Sequence, residues 1–138
     1  MTEAVLQNAF RVLAGGDRAE IAAVFTEDAE WLSPPGNATS VALDAPHHMI
    51  GRDAIAHFFA DDFPRLFARD LAVVFNHLHS GGGWGLAEAN VAAVLADGGR
   101  YDVDHCFVFE LRGGLIHRVR EYADTARAHR MVLGTPHR

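Results

Sequence analysis

RYDVDHCFVFELRGGLIHRVREYAD, residues 100–124, reads as a β-hairpin. Two runs rich in aromatic and β-branched residues flank Gly113-Gly114, and Gly-Gly suits a two-residue turn with positive φ at both central positions. If that pair is the whole loop, Arg112 faces Leu115, Cys106 faces Glu121 and Asp104 faces Ala123. Directly opposed residues share a face of the sheet, so Asp104 and Glu121 become diagonal neighbours with Cβ atoms roughly 7–8 Å apart. A three-residue loop would flip the parity and separate them. The strands around them are apolar on both sides: Cys106 and Val108 point one way, and Val103, Phe107, Phe109 and Leu111 the other. A strand buried on both faces has this pattern. A carboxylate that projects into such an interior needs a partner, water or a raised pKa. The alternative is a rim residue paired to Arg118, Arg120 or Arg100.

Working outward, the segment before the hairpin supplies further strands. Residues 71–79 form one and residues 86–96 the next, with the glycine-rich GGGWG as the turn between them and Asp97-Gly98-Gly99 leading into the hairpin. After Asp124, TARAHRMVL reads as a short terminal helix followed by a polar tail. At the other end, residues 2–14 read as an amphipathic helix carrying Val5, Ala9, Val12 and Leu13 at helical spacing. Gly15-Gly16 stops it. Asp17 then caps a second helix, with Glu20 three residues on, and this helix buries Ile21, Val24 and Phe25. It yields at residues 26–28 to a short strand from Ala29 to Ser33 that carries Trp31. Pro34-Pro35-Gly36 breaks the strand, and residues up to Gly51 read as a long loop holding Asp44, His47 and His48. In GRDAIAHFFADDF, Ile55, Phe58, Phe59 and Phe63 mark a helix with a heavy apolar face, which Pro64 interrupts or ends.

Helices segregated from a run of strands mean an α+β fold. A strongly curved antiparallel sheet wrapped by the N-terminal helices would be cone-shaped and leave a cavity. Because the hairpin is apolar on both faces, its outer face also needs cover, and a second copy of the chain in a two-fold homodimer supplies it. The chain of 138 residues is long enough for one domain with a sizeable core, read here as spanning 1–138. A net charge of −6 with no basic run argues against nucleic-acid binding. No apolar run reaches membrane-spanning length, the N-terminus lacks a signal-peptide core, and the one cysteine, Cys106, offers no disulfide, so the chain reads as cytoplasmic. No cofactor is implied, since Gly81 to Gly85 lacks the strand-then-helix context of a phosphate cradle.

Three stretches together resemble the nuclear transport factor two-like superfamily, especially its SnoaL-like and ketosteroid-isomerase-like branch. They are LAGGDRAEIAAVFTEDAEW near the start, GRDAIAHFF in the middle and DHCFVFELRGGLIHRVREYADT at the end. The resemblance covers nearly the whole chain and implies a cystatin-like α+β roll. The fold hosts isomerases, cyclases, dehydratases, epoxide hydrolases and non-catalytic binders. In ketosteroid isomerases an Asp just before a His on the corresponding strand is a protonated donor, and Asp104-His105 resembles that pair. The family's catalytic Asp before a Pro is replaced here by Ser33, and its tyrosine donor on the first helix by Ala9 or Phe10. Arg120-Glu121-Tyr122 is similar to the Arg-Asp-Tyr of limonene-epoxide-hydrolase-like proteins, with Glu for Asp. Their Arg-x-Asp is not reproduced; Glu88-Ala89-Asn90 lies nearby, and their Tyr and Asn fall near Trp31 and Ser33.

The candidates follow. Glu121 is the first choice as general base or acid, on the expectation that an apolar pocket raises its pKa toward neutrality. Asp104 is second, as an acid or oxyanion donor. Their alternatives are a structural ion pair for Glu121 and a strand-end residue tied to Arg100 for Asp104. Trp31 and Ser33 are assigned to substrate binding with Glu88, Asn90 and His79. Glu88 and Asn90 share a face by period-two spacing and reach the Asp104 face only if the Asp97-Gly98-Gly99 loop counts as three residues. His77 and His79 share a strand face and with Asp104 or Glu88 outline a metal site, but no third ligand has diagnostic spacing, so no metal is assigned. The expected ligand is an apolar small molecule of terpenoid, steroid-like or polyketide type. The expected chemistry is cofactor-free proton transfer: isomerisation, cyclisation, dehydration or epoxide opening. The alternative is a non-catalytic ligand-binding or dimer-scaffold protein.

Overall fold

The structure, a computed structural model, describes residues 2–134. Helix α1 spans Thr2–Gly15 and turns Leu6, Ala9, Phe10 and Leu13 inward at helical spacing. Gly16, at φ +71°, lets the chain reverse. Asp17 accepts from the Glu20 amide at 3.0 Å and caps α2, Arg18–Ala23, as its sequence position predicts. Strand β1 then runs Phe25–Leu32, four residues earlier than expected. Phe25 is fully buried and pairs with Ile116, so packing recruits it into the sheet.

The expected loop between residues 34 and 51 holds two short elements. Helix α3, Ala38–Leu43, starts at Asn37, which accepts from the Ser40 amide at 3.0 Å, and ends at Asp44 in the left-handed conformation. Strand β2, His48–Ile50, pairs with β1. Neither is long enough to show a period, which is why the sequence reads as featureless there. Helix α4, Arg52–His57, passes through a π-helical turn, Phe58–Asp62, into α5, Phe63–Leu66. Pro64 falls in the first turn of α5, directly after the π-helical turn, so it neither ends nor breaks the helical path.

Four long strands follow: β3 Phe67–Gly81, β4 Trp84–Leu95, β5 Arg100–Arg112 and β6 Leu115–Ala123. Helix α6, Thr125–Leu133, lies where its sequence places it, capped by Asp124 through the Arg127 amide at 3.1 Å. The polar tail, residues 135–138, lies outside the described residues. The six strands form one curved, unclosed sheet in the order β2-β1-β6-β5-β4-β3, antiparallel throughout except for the parallel β1–β6 pair. Its concave face packs on the helices. One buried cluster joins α1, β1 and the hairpin through Phe10, Trp31, Phe107 and Phe109; a second gathers Phe67, Val91, Leu95, Tyr101 and Ala128 under α6.

Gly85 marks where α1 meets the sheet. A Cβ there would lie 2.6 Å from Leu6 Cδ1 and 3.2 Å from the His79 carbonyl oxygen. Leu6 is fully buried, and the His79 carbonyl is backbone that cannot swing aside. Gly85→Ala is therefore expected to cost about 1–3 kcal/mol through overpacking, read as a lower urea midpoint at unchanged slope. An unchanged midpoint would contradict this account of the helix–sheet contact.

Candidate active site

The turn at Gly113-Gly114 is the two-residue type expected, with φ of 59° and 80°. Arg112 faces Leu115 and Leu111 faces Ile116, but the ladder then shifts by one residue and Glu110 faces Arg118. His117 is the extra residue of this bulge. Beyond it Glu121 lies opposite Phe107 rather than Cys106, and His105 rather than Asp104 lies opposite Ala123. The bulge thus turns Glu121 to the concave face with Tyr101, Val103, His105, Phe107 and Phe109, which share that face by period two.

There Glu121 meets groups from two other strands, β1 and β5. Trp31 donates from Nε1 to Glu121 Oε1 at 2.9 Å, and the Ser33 hydroxyl donates to the same oxygen at 3.1 Å. Both come from the β1 segment, and its parallel register, Trp31 beside Val119 and Leu32 beside Arg120, aims them at Glu121. The Ser33 amide donates to the His47 carbonyl at 2.8 Å, which holds the end of β1 in place. His105 Nδ1 lies 2.8 Å from Glu121 Oε2, and His105 Nε2 lies 2.9 Å from the Tyr101 hydroxyl. The His105 ring stacks on Phe107 at 5.6 Å. The His105 and Glu121 side chains keep only 10% and 17% exposure.

These polar groups end in a cavity of about 110 Å³ whose walls include Phe10, Leu13, Met49, Phe58, Phe63 and Phe67. An apolar cavity of about 150 Å³ accommodates benzene; this space is somewhat smaller, so a ring-sized portion of a ligand enters it with a small outward shift of the lining side chains. Burial by itself would push the Glu121 carboxyl up. The hydrogen bond from His105, its positive charge once the ring is protonated at the low pH where a carboxyl titrates, and the Trp31 and Ser33 donors outweigh it and hold the carboxyl below its ordinary value. The expected rise toward neutrality is thus corrected: three donors converge on the carboxylate and keep it ionised. Burial, and then the Glu121 charge, push the Tyr101 phenol well above its ordinary range.

The Asp104–Glu121 pairing is also corrected. Asp104 lies on the convex face directly opposite Asn90, whose Nδ2 donates to Asp104 Oδ1 at 3.1 Å and to Asp102 Oδ1 at 2.7 Å. The turn before β5 lies one residue earlier than Asp97-Gly98-Gly99: the Leu95 amide donates to the Gly99 carbonyl at 2.8 Å, so Ala96, Asp97 and Gly98 form it, with the same odd length and hence the same parity. Asn90 and Glu88 therefore reach the Asp104 face, but that face is not the cavity. Glu88 lies 3.8 Å from His77, and His79, opposite Leu86, shares the outer surface. Of the candidates, the cavity gathers Glu121, Trp31 and Ser33, and leaves Asp104, Glu88, Asn90 and His79 outside. Arg118 and Arg120 point to the other face of β6 from Glu121; Arg118 pairs with Glu30 and Glu110, and Arg120 with Glu110. His105 and Tyr101 were not among the candidates. The signal for them was the spacing of Ile116 and Val119, both fully buried: apolar residues three apart on one strand face require a bulge.

A curved sheet wrapped by helices around such a cavity is the nuclear transport factor two-like architecture, and solved structures agree. An NTF2-like protein of unknown function from Burkholderia pseudomallei superposes with a TM-score of 0.80 at 14% identity, over 95% of this chain and 96% of that one. An LEH-like epoxide hydrolase from Mycobacterium tuberculosis gives 0.75 at 17% identity, over 96% and 89%. TerC, co-crystallised with polyporic acid, gives 0.78 at 16% identity, over 96% and 98%. Identities this low establish the fold alone. The chain belongs to the SnoaL-like domain family, whose model matches residues 6–119. No curated protein matches its sequence.

Proposed function

We propose that the protein is a cofactor-free enzyme that moves a proton on a small, largely apolar molecule. The observation that carries this reading is the His105–Glu121 pair at the polar end of an aromatic cavity. An ionised carboxylate accepts only, so His105 donates from Nδ1 and leaves Nε2 as the proton-accepting nitrogen of the neutral ring. Glu121 then stabilises the imidazolium that forms when a proton arrives. Trp31 and Ser33 hold the carboxylate in place. Isomerisation, cyclisation, dehydration and epoxide opening all use such a step, and solved structures of the same fold that are named as an LEH-like epoxide hydrolase and a SnoaL-like polyketide cyclase support this range. The cavity takes one ring of a terpenoid, steroid-like or polyketide molecule; the remainder stays outside or displaces side chains.

The test is a thermal-shift screen against steroids, terpene epoxides and aromatic polyketide-like compounds. A ligand at about a hundred times its Kd stabilises by roughly 2.7 kcal/mol, a rise on the order of 5–10 °C for a domain of this size. Hits are then assayed for turnover. Binding without turnover in all three classes favours a ligand-binding or scaffold role, and no shift in any of them removes the support for this substrate range.

The convex face leaves Ile50 on β2, Val74 on β3, Trp84 on β4 and Tyr122 on β6 exposed. We read this face as the contact of a homodimer, and sedimentation as a monomer at high micromolar concentration would refute it. Among the described residues no helix is long and apolar enough to cross a membrane, and the unpaired thiol of Cys106 is compatible with a cytoplasmic location.

A further inference from the structure

We infer that Tyr101 is the group that meets the substrate, and that His105 and Glu121 stand behind it as the proton store. This rests on the proton-transfer reading above and assigns the contact within it. The argument is one of direction. Trp31, Ser33 and His105 all point donors at Glu121. The carboxylate is therefore the acceptor, and the imidazole proton sits on Nδ1. In neutral His105 that leaves Nε2 as an acceptor, and the group 2.9 Å from it is the Tyr101 hydroxyl. To that neutral ring Tyr101 donates its proton. Both ring nitrogens are now engaged inside the protein, and His105 has no free position to offer a ligand. Tyr101 does: its oxygen retains acceptor lone pairs, no second hydrogen bond to it exists among the described residues, and the residue lines the cavity.

A substrate O–H or activated C–H beside Tyr101 can thus lose its proton to the phenol oxygen while the phenol proton moves to His105 Nε2. The bonds broken are substrate–H and Tyr101 O–H; those formed are Tyr101 O–H and Nε2–H. The products are the substrate anion, a neutral phenol that now donates to that anion, an imidazolium and the unchanged Glu121 carboxylate. Charge balances without any co-reactant, and the reverse passage returns the proton to a different substrate atom. The high phenol pKa suits this role, because Tyr101 relays a proton without ever standing as a phenolate. Its surroundings hold it in place: it is 2% exposed and packs edge-on against Phe67 at 4.9 Å.

The experiment uses 4-nitrophenol, whose absorbance distinguishes phenol from phenolate. Bound to the wild-type protein, its ionisation ratio should rise at least tenfold over that in water at the same pH. Tyr101→Phe should bind the probe within a few-fold but lose the increase. An increase kept in Tyr101→Phe overturns the assignment of Tyr101 and leaves proton acceptance by His105–Glu121 standing. Wild-type protein that fails to bind the probe, or binds it without increased ionisation, overturns both. The chain has two tyrosines, and Tyr122 is 56% exposed on the convex face. Biosynthetic 3-fluorotyrosine in a Tyr122→Phe background therefore labels Tyr101 alone, and requires no deletion in the cavity. Its ¹⁹F resonance should move when the probe binds, and a resonance that stays in place also overturns the assignment.

Discussion

Glu121→Gln is expected to lower turnover by about 10²- to 10⁴-fold, the usual contribution of a positioned acid or base, while the protein remains folded. The change adds no volume but breaks the polarity of the site. An amide with its oxygen toward Trp31 and Ser33 presents its NH₂ to the Nδ1 proton of His105. Turned the other way, it points the NH₂ at the Trp31 and Ser33 donors. In either orientation a donor faces a donor, a mismatch worth about 1–3 kcal/mol, and in the first the imidazole proton is driven to Nε2, reversing the bond to Tyr101. The same variant isolates the pH dependence. The Glu121 carboxyl is depressed in the folded state below its ordinary value of 4.5. The unfolded chain therefore binds that proton more readily, so the stabilisation is complete above about pH 4.5 and is lost as pH falls below it. Thermal midpoints measured downward from pH 7 should fall more steeply for the wild type than for Glu121→Gln. Parallel acid limbs would mean that Glu121 is not the depressed carboxyl, and full turnover in the variant would end the proton-transfer reading.

Trp31→Ala should produce the largest loss of stability of any single change at the site, about 3–5 kcal/mol. Trp31 is 3% exposed and packs against Phe59 at 4.9 Å, Phe107 at 6.0 Å and Phe25 at 6.3 Å, so its removal opens a hole where the π-helical turn, the hairpin and β1 meet. Set against the 5–15 kcal/mol that holds a typical domain together, this lowers the thermal midpoint by on the order of 10 °C or more. Trp31→Phe separates packing from polarity. It keeps most of the ring and removes the donor to Glu121 Oε1, so the loss should shrink to about 1–2 kcal/mol and the carboxyl should titrate closer to its ordinary value. Urea melts of both variants at pH 7 and pH 4 check this. A loss under 1 kcal/mol for Trp31→Ala would show that the aromatic wall is already loose.

Much of this architecture was legible in the residues themselves. Gly113-Gly114 announced the tight turn, Asp17 and Glu20 the start of α2, the Ile55-to-Phe63 spacing the helix over the cavity, and TARAHRMVL the terminal helix. These are local signals, written in conformational preference and short-range spacing, and they hold whatever the rest of the chain does. The three matched stretches placed the chain in its fold family for the same reason. What only the tertiary structure decided was which side of the sheet each polar side chain occupies. Period-two reasoning assigns a face only while the ladder is unbroken, and one extra residue at His117 reverses it for everything beyond. The bulge forms because Ile116 and Val119 must both be buried against a core built by α1 and β1, far away in sequence. That single shift sent Glu121 to His105 and left Asp104 with Asn90 on the outside. It also inverted the expected direction of the Glu121 pKa, because the donors that hold the carboxylate ionised come from β1 and β5, which meet only when the sheet closes around the cavity.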